Sequence, residues 1–118
     1  MGITVNRSGP LVSIPVTPAT TSKTAVYTGD GTGQGSAIVL TVRATNTTGS
    51  GVTLDLAFYS KQDDVEAAID SRTVSANSTD LIEIDIAIQF EDELRATVGT
   101  GGAIDLVITY IEKAGGTI

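Results

Sequence analysis

The chain reads as an all-β protein, an antiparallel β-sandwich of jelly-roll or immunoglobulin-like type with an extended N-terminal arm. Three observations lead there. Apolar residues alternate with polar ones at period two along several short runs, as half-buried strands require. Clusters of Gly, Asn, Ser and Thr separate these runs at short intervals. The hydrophobic fraction of 41% is contributed almost wholly by aliphatic residues, with two Phe, three Tyr and no Trp among 118 residues. One domain's worth of chain is present, and the turns are too short for a second boundary.

Residues 1–22 hold all three prolines, Pro10, Pro15 and Pro18, among β-formers. Proline is refused by central strands and tolerated in extended or edge positions. Two readings stay open. The segment is an arm that, at ~3.3 Å per residue, reaches roughly 70 Å beyond its domain; or it is an edge strand of the same domain. The organisation expected is an arm over 1–22 and a sandwich over 23–118.

Lys23–Thr28 reads as a short strand, followed by a glycine-rich loop over 29–35. Ile38, Leu40, Val42 and Ala44 then alternate with Val39, Thr41, Arg43 and Thr45. After the turn Asn46–Gly51, Val52, Leu54, Leu56 and Phe58 do the same, which predicts a hairpin of these two strands. Ser60 followed by acids predicts a helical turn over 60–70. Ser71–Ala76, Leu81–Ile88, Phe90–Val98 and Ala103–Glu112 read as further strands. The last has a nearly continuous apolar set, predicting burial on both faces. The expected core is Ile38, Leu40, Val42, Leu54, Leu56, Phe58, Ile82, Ile84, Ile86, Leu106 and Ile108.

Composition excludes much chemistry. With no Cys and no His, disulfides, cysteine nucleophiles, histidine bases and His or Cys metal ligands are absent. Net charge is −7, which opposes binding to phosphate backbones. Eleven acids face only Lys61 and Arg72 between Asp55 and Glu93, whereas the first 29 residues carry Arg7 and Lys23 and no acid. An N-terminal segment without acids beside an acidic body suits contact between copies. No run is long enough to cross a membrane as a helix, and no export signal opens the chain, so it is expected to be made and used without export machinery.

Four patterns were weighed as sites. Gly29–Gly35 lacks the Lys-Ser/Thr of a phosphate loop and leads into a strand, so it reads as a flexible loop. Asp63, Asp64, Glu66 and Asp70 offer oxygen ligands for calcium, but without EF-hand spacing; they read as a solvated acidic loop. Glu91, Asp92 and Glu93 could pair as glycosidase carboxylates, but strand neighbours point to opposite faces. The Asn-x-Ser/Thr triplets at Asn6, Asn46 and Asn77 read as turn chemistry. No catalytic, cofactor or metal residue is assigned, no cofactor is expected, and the chain is expected not to be an enzyme.

From Ala37 to Glu112 the chain resembles small virion proteins encoded by tailed phages, the capsid decoration or cement proteins and related small head or tail components. The residues concerned are Arg43-Ala44-Thr45-Asn46-Thr47-Thr48-Gly49, Gly51-Val52-Thr53-Leu54, Ser75-Ala76-Asn77-Ser78-Thr79, Glu91-Asp92-Glu93-Leu94-Arg95-Ala96 and Ala103-Ile104-Asp105-Leu106-Val107-Ile108-Thr109-Tyr110-Ile111-Glu112. These motifs are turn and strand chemistry, not a catalytic signature. The resemblance implies a structural β-sandwich on the virion, most naturally on the capsid surface. Its partners would be the major capsid protein and copies of itself, as a trimer or a pair closed by edge or arm exchange, with no nucleic acid and no membrane. The acidic stretch Lys61–Asp70 and the proline-bearing arm depart from the pattern. A small tail or fibre component, or a carbohydrate-binding host-recognition module, is the alternative; the absence of Trp weakens the sugar reading.

Overall fold

A computed structural model describes residues 11–29 and 36–113. Among them are eight strands: β1 (Leu11–Val16), β2 (Thr24–Thr28), β3 (Ser36–Asn46), β4 (Val52–Ser60), β5 (Val65–Val74), β6 (Thr79–Ile88), β7 (Glu93–Val98) and β8 (Ile104–Lys113). They form two four-stranded antiparallel sheets. Sheet A runs in the order β1-β8-β3-β6 and sheet B in the order β2-β7-β4-β5. Only β4 and β5 are joined within one sheet; every other connection crosses to the opposite one. This wiring is that of a jelly roll, the first of the two sandwich types expected.

Between the sheets lies an aliphatic core of Val39, Val42, Leu54, Leu56, Val74, Ile82, Ile88, Leu94, Ile104, Leu106 and Ile108, each nearly or fully buried. Alternation produces it. Along β7 the residues Leu94, Ala96 and Val98 face inward and Glu93, Arg95 and Thr97 outward.

The predicted hairpin of β3 with β4 does not form. β3 pairs with β6 and β8 in sheet A, and β4 with β5 and β7 in sheet B. Asn46 explains the difference. Its buried side chain donates through Nδ2 to the carbonyls of Ser50 (2.7 Å) and Val74 (2.9 Å). Its Oδ1 accepts from the backbone N–H (2.8 Å) and hydroxyl (2.7 Å) of Thr48. All four hydrogen-bonding positions of the amide are thus used, and the loop arches from one sheet to the other. Backbone bonds from Thr47 to Ala103 (3.0 Å) and from Asn77 to Thr48 (3.0 Å) tie the arch to neighbouring turns instead of closing a ladder.

A second correction concerns phase. Ile38 is 43% exposed and Leu40 half-buried, while Val39, expected outside, is fully buried. Register shifts between Val39 and Thr41 against both neighbours. One extra residue in a strand exchanges its faces, so the pattern read from Val42 and Ala44 does not extend back through Leu40. Phe58 and Ile86 pack against the core without being fully buried.

No helical turn occurs at 60–70. Lys61–Asp64 is a tight turn, and Val65 onward is β5, paired with β4 from Ser60↔Val65 to Val52↔Val74. Asp64 adopts the left-handed region (φ 54°), which ends any helix, and its Oδ1 accepts from the Tyr59 hydroxyl at 2.7 Å. Ser60 does cap, but its Oγ accepts from the Asp63 N–H within this turn. β8 is not buried on both faces either. Ile104, Leu106 and Ile108 face the core, whereas Asp105 is exposed and Val107 and Thr109 are half-buried.

Of the expected arm, residues 1–10 lie outside the described residues. Leu11–Val16 form β1, the edge strand of sheet A, in register with β8 from Leu11↔Ile111 to Val16↔Leu106. The edge-strand reading therefore holds for that part, and an edge is where Pro15 fits. The glycine-rich loop over 30–35 also lies outside the described residues.

Candidate functional site: the two outer sheet faces

Each sheet turns one face to the core and one outward, and the two outward faces differ in kind. On sheet B, residues adjacent across strands are Thr28, Glu93, Tyr59 and Glu66, then Ala25, Arg95, Ala57 and Ala68. The small Ala57 and Ala68 beside Arg95 leave a shallow cleft of about 310 Å³, bordered also by Lys23, Asp55, Asp70, Ser71 and Thr97.

The charges of this face satisfy one another. Arg95 donates through Nε to Glu93 (2.7 Å) and through Nη1 to Glu66 (2.9 Å). Its guanidinium lies 3.9 Å from the centre of the Tyr59 ring, a cation–π contact. Lys23 donates to the other oxygen of Glu66. Hydrogen bonds from Lys23 and Arg95 hold the Glu66 carboxyl below the usual carboxylate range. The bond to Asp64 raises the Tyr59 phenol above its ordinary value. Ser71 donates to Asp55 at 2.5 Å. At the open side of the sandwich, Arg72 donates to Asp70 on its own strand (2.7 Å) and to Asp80 on β6 (3.4 Å), linking the two sheets. The bond to Asp70 is the first cause of the raised Arg72 pKa.

Of the four acids considered for calcium, three go to separate partners, Asp64 to Tyr59, Glu66 to Lys23 and Arg95, and Asp70 to Arg72, while Asp63 is exposed in the turn. Among the described residues no group of three or more acids is placed to hold a metal ion. Glu91, Asp92 and Glu93 do not converge. Glu91 occupies a left-handed turn position (φ 65°), and Glu93 is bonded to Arg95. Asp92 is buried and accepts from the backbone N–H groups of Lys61 (2.9 Å) and Gln89 (3.1 Å). This carboxylate fastens one turn to another. Sequence reasoning missed that role, and its only signal was an acid inside a turn, a position that favours side-chain-to-backbone bonds. Of the three Asn triplets, Asn46 is the buried arch residue, Asn77 sits exposed in a turn with φ 53°, and Asn6 lies outside the described residues.

The outward face of sheet A is of a different character. Its first cross-strand row is Leu11, Ile111, Ile38 and Ala87. A later row holds Pro15, Val107, Arg43 and Leu81. Leu11 is 65% exposed, Leu81 53% and Ile38 43%, while Ile111 is buried between its neighbours. Hydroxyls fill the intervening positions. Ser13 bonds Thr109 (2.9 Å), Thr45 bonds Thr79 (2.8 Å), and Thr17 donates to Asp105 (2.8 Å). Exposed Arg43, Glu83, Asp85 and Asp105 also lie on the strands of this face, so apolar rows, paired hydroxyls and scattered charges share it. Every buried side-chain nitrogen or oxygen among the described residues has a partner.

No protein-family model and no curated protein matches the chain in sequence. Solved structures do match its fold. It is similar to the Drosophila NLP core, a protein of pentamer formation and histone binding, with TM-score 0.51, 10% identity and coverage of 89% of this chain and 99% of that one. It also matches an appendage protein of Bacillus endospores that forms disulfide-linked pili (TM-score 0.46, 16% identity, 95% and 94% covered). A third match is to the infectious bursal disease virus particle (TM-score 0.47, 11% identity, 92% of this chain and 32% of that one). At such identities the likeness is one of fold. The comparisons do not confirm the narrower resemblance to tailed-phage cement proteins.

Proposed function

We propose that this chain is a non-catalytic structural protein of a tailed-phage virion, a decoration protein that docks on the capsid through the outer face of sheet A. The observation carrying this reading is the contrast between the outer faces. On sheet B the charged groups bordering the cleft are matched to partners of this same chain, leaving no converging acid, base or nucleophile. On sheet A, Leu11, Ile38 and Leu81 stand exposed among hydroxyls and the side chains of Arg43, Glu83, Asp85 and Asp105, and the apolar part of such a surface gains free energy when covered. Many copies on a repeating shell would each bury a modest area, and multivalency would secure the whole.

The resemblance of residues 37–112 to small phage virion proteins supports the location. Pentamer formation by the Drosophila NLP core is one instance of assembly by a sandwich of similar fold. The carbohydrate-binding alternative finds less support, because no aromatic residue is among those lining the cleft and the ring of Tyr59, next to Arg95, is covered by it. Quantitative mass spectrometry of purified particles tests the proposal. Hundreds of copies per particle are expected. A handful would assign the chain to the tail, and its absence would overturn the reading.

A further inference from the structure

We infer that Arg43, on the outer face of sheet A, is the point at which the docking partner presents a carboxylate. The inference rests on the reading of sheet A as the docking face and names the chemistry of the surface that face accepts.

Arg43 stands apart from the other arginines among the described residues. Arg72 donates to Asp70 (2.7 Å) and Asp80 (3.4 Å), and Arg95 to Glu93 (2.7 Å) and Glu66 (2.9 Å). Each of these two is held by a pair of carboxylates of its own chain. Arg43 is exposed, and its side chain has no ion pair or hydrogen bond among the described residues.

Its position matters as much as its freedom. β3 is an inner strand of sheet A, between β8 and β6. Across the strands Arg43 lies opposite Val107 on one side and Leu81 on the other, with Pro15 beyond Val107. The guanidinium therefore rises from a row whose other three members are apolar. The nearest hydroxyl positions along β3 are Thr41 and Thr45, and the Thr45 hydroxyl is already bonded to Thr79 (2.8 Å).

A surface that covers Leu81 and Val107 also covers what stands between them. Arginine stays charged and carries five N–H donors, and stripping water from such a group without supplying acceptors is strongly unfavourable. The chain has no acceptor of its own to offer at this row, so the partner must bring one. A carboxylate matches both the charge and the fork of the guanidinium. An arginine set among apolar side chains is also the kind of residue that dominates protein interfaces.

The acids of the face make the demand selective. Glu83 and Asp85 on β6 and Asp105 on β8 are exposed. Glu83 lies opposite Thr41 and Asp105 opposite Thr45, so an acid flanks the Arg43 row on either side. A partner carboxylate slipped by one row meets like charge; centred on Arg43 it is held. Charge thus fixes the register in which the face docks, while the aliphatics supply the covered area.

The test uses the full-length chain and undecorated particles, with binding read by co-sedimentation. Arg43→Ala should weaken binding at least tenfold with the thermal midpoint unchanged, and Arg43→Glu should weaken it further. Arg43→Lys introduces an amine that a water-soluble carbodiimide joins to a touching carboxylate through an amide bond. Mass spectrometry of the particle-bound variant is expected to find position 43 linked to an Asp or Glu of the shell protein. A link formed only to this chain's own acids, such as Glu83 of a second copy, overturns the inference, as does the absence of any link. Binding by Arg43→Ala equal to that of the parent overturns it as well. The virion reading fails by a different result, a parent chain that does not sediment with the particles at all.

Discussion

The two outer faces of this sandwich are built on one core and yet face solvent in opposite ways. Sheet B spends its outward side chains on one another: Lys23, Glu66, Arg95, Glu93, Tyr59 and Asp64 form a continuous chain of ion pairs and hydrogen bonds. Sheet A pairs its hydroxyls across strands and leaves Leu11, Ile38 and Leu81 exposed. A face whose polar groups are satisfied within the chain gains little from a partner, because docking would desolvate charges that already have one. A face with several exposed aliphatics gains more where those side chains are covered. Acidity alone would point to sheet B, whose charges are already paired within the chain.

The largest expected effect tests whether the two faces share one cooperative core. Leu56 lies beneath the sheet B face and Leu106 beneath the sheet A face, both almost fully buried. Leu56→Ala and Leu106→Ala should each cost about 2–5 kcal/mol in urea denaturation. If only one of them lowers the midpoint, the sheets do not unfold as a unit and the comparison loses its common base.

A second substitution sharpens the contrast between faces. Ile38→Lys combined with Leu81→Lys should change stability by no more than about 0.5 kcal/mol each, as for exposed sites generally, while binding to undecorated particles falls at least tenfold. Arg95→Ala should do the reverse, lowering the thermal midpoint by a few degrees at most and leaving particle binding intact. Exchange of these outcomes would invert the assignment of faces.

How far the sequence could carry this is instructive at three residues. Period-two alternation placed strands and inward residues correctly along β6, β7 and the far half of β3, because burial imposes that period directly. It could not name strand partners: a cluster of Asn, Thr, Ser and Gly serves a hairpin and an arch equally well. The decision lay with Asn46, whose four hydrogen bonds become visible only in three dimensions. Leu40 hid the bulge that reverses the near half of β3, since an aliphatic run reads the same in either phase. Asp64 hid the turn that replaces the expected helix. On the functional side, Asp70 and Glu93 are occupied by Arg72 and Arg95 two residues along the same strand, whereas Glu66 is occupied by Lys23 and Arg95 from strands distant in the chain. The exposed aliphatics of the proposed docking face were legible only in fragments, as Leu11, Ile38 and Leu81 belong to three strands.

The smallest effect is a pH dependence. Glu66 has a lowered folded pKa, so its contribution to stability is present above the unfolded carboxylate value of about 4.3. It is lost as pH falls through the lower folded value. Glu66→Gln should therefore be slightly less stable than the parent at pH 7, and the two should converge under acid conditions. A difference that widens toward low pH would contradict the ion-pair description of sheet B.

Docking by sheet A is tested most directly by the structure of the protein on the particle, determined by cryo-electron microscopy of purified virions. The account predicts that Leu11, Ile38 and Leu81 lie against the shell, with the Arg95–Glu66 network turned toward solvent. A particle on which the sheet B cleft meets the shell, with the sheet A face bare, would contradict it.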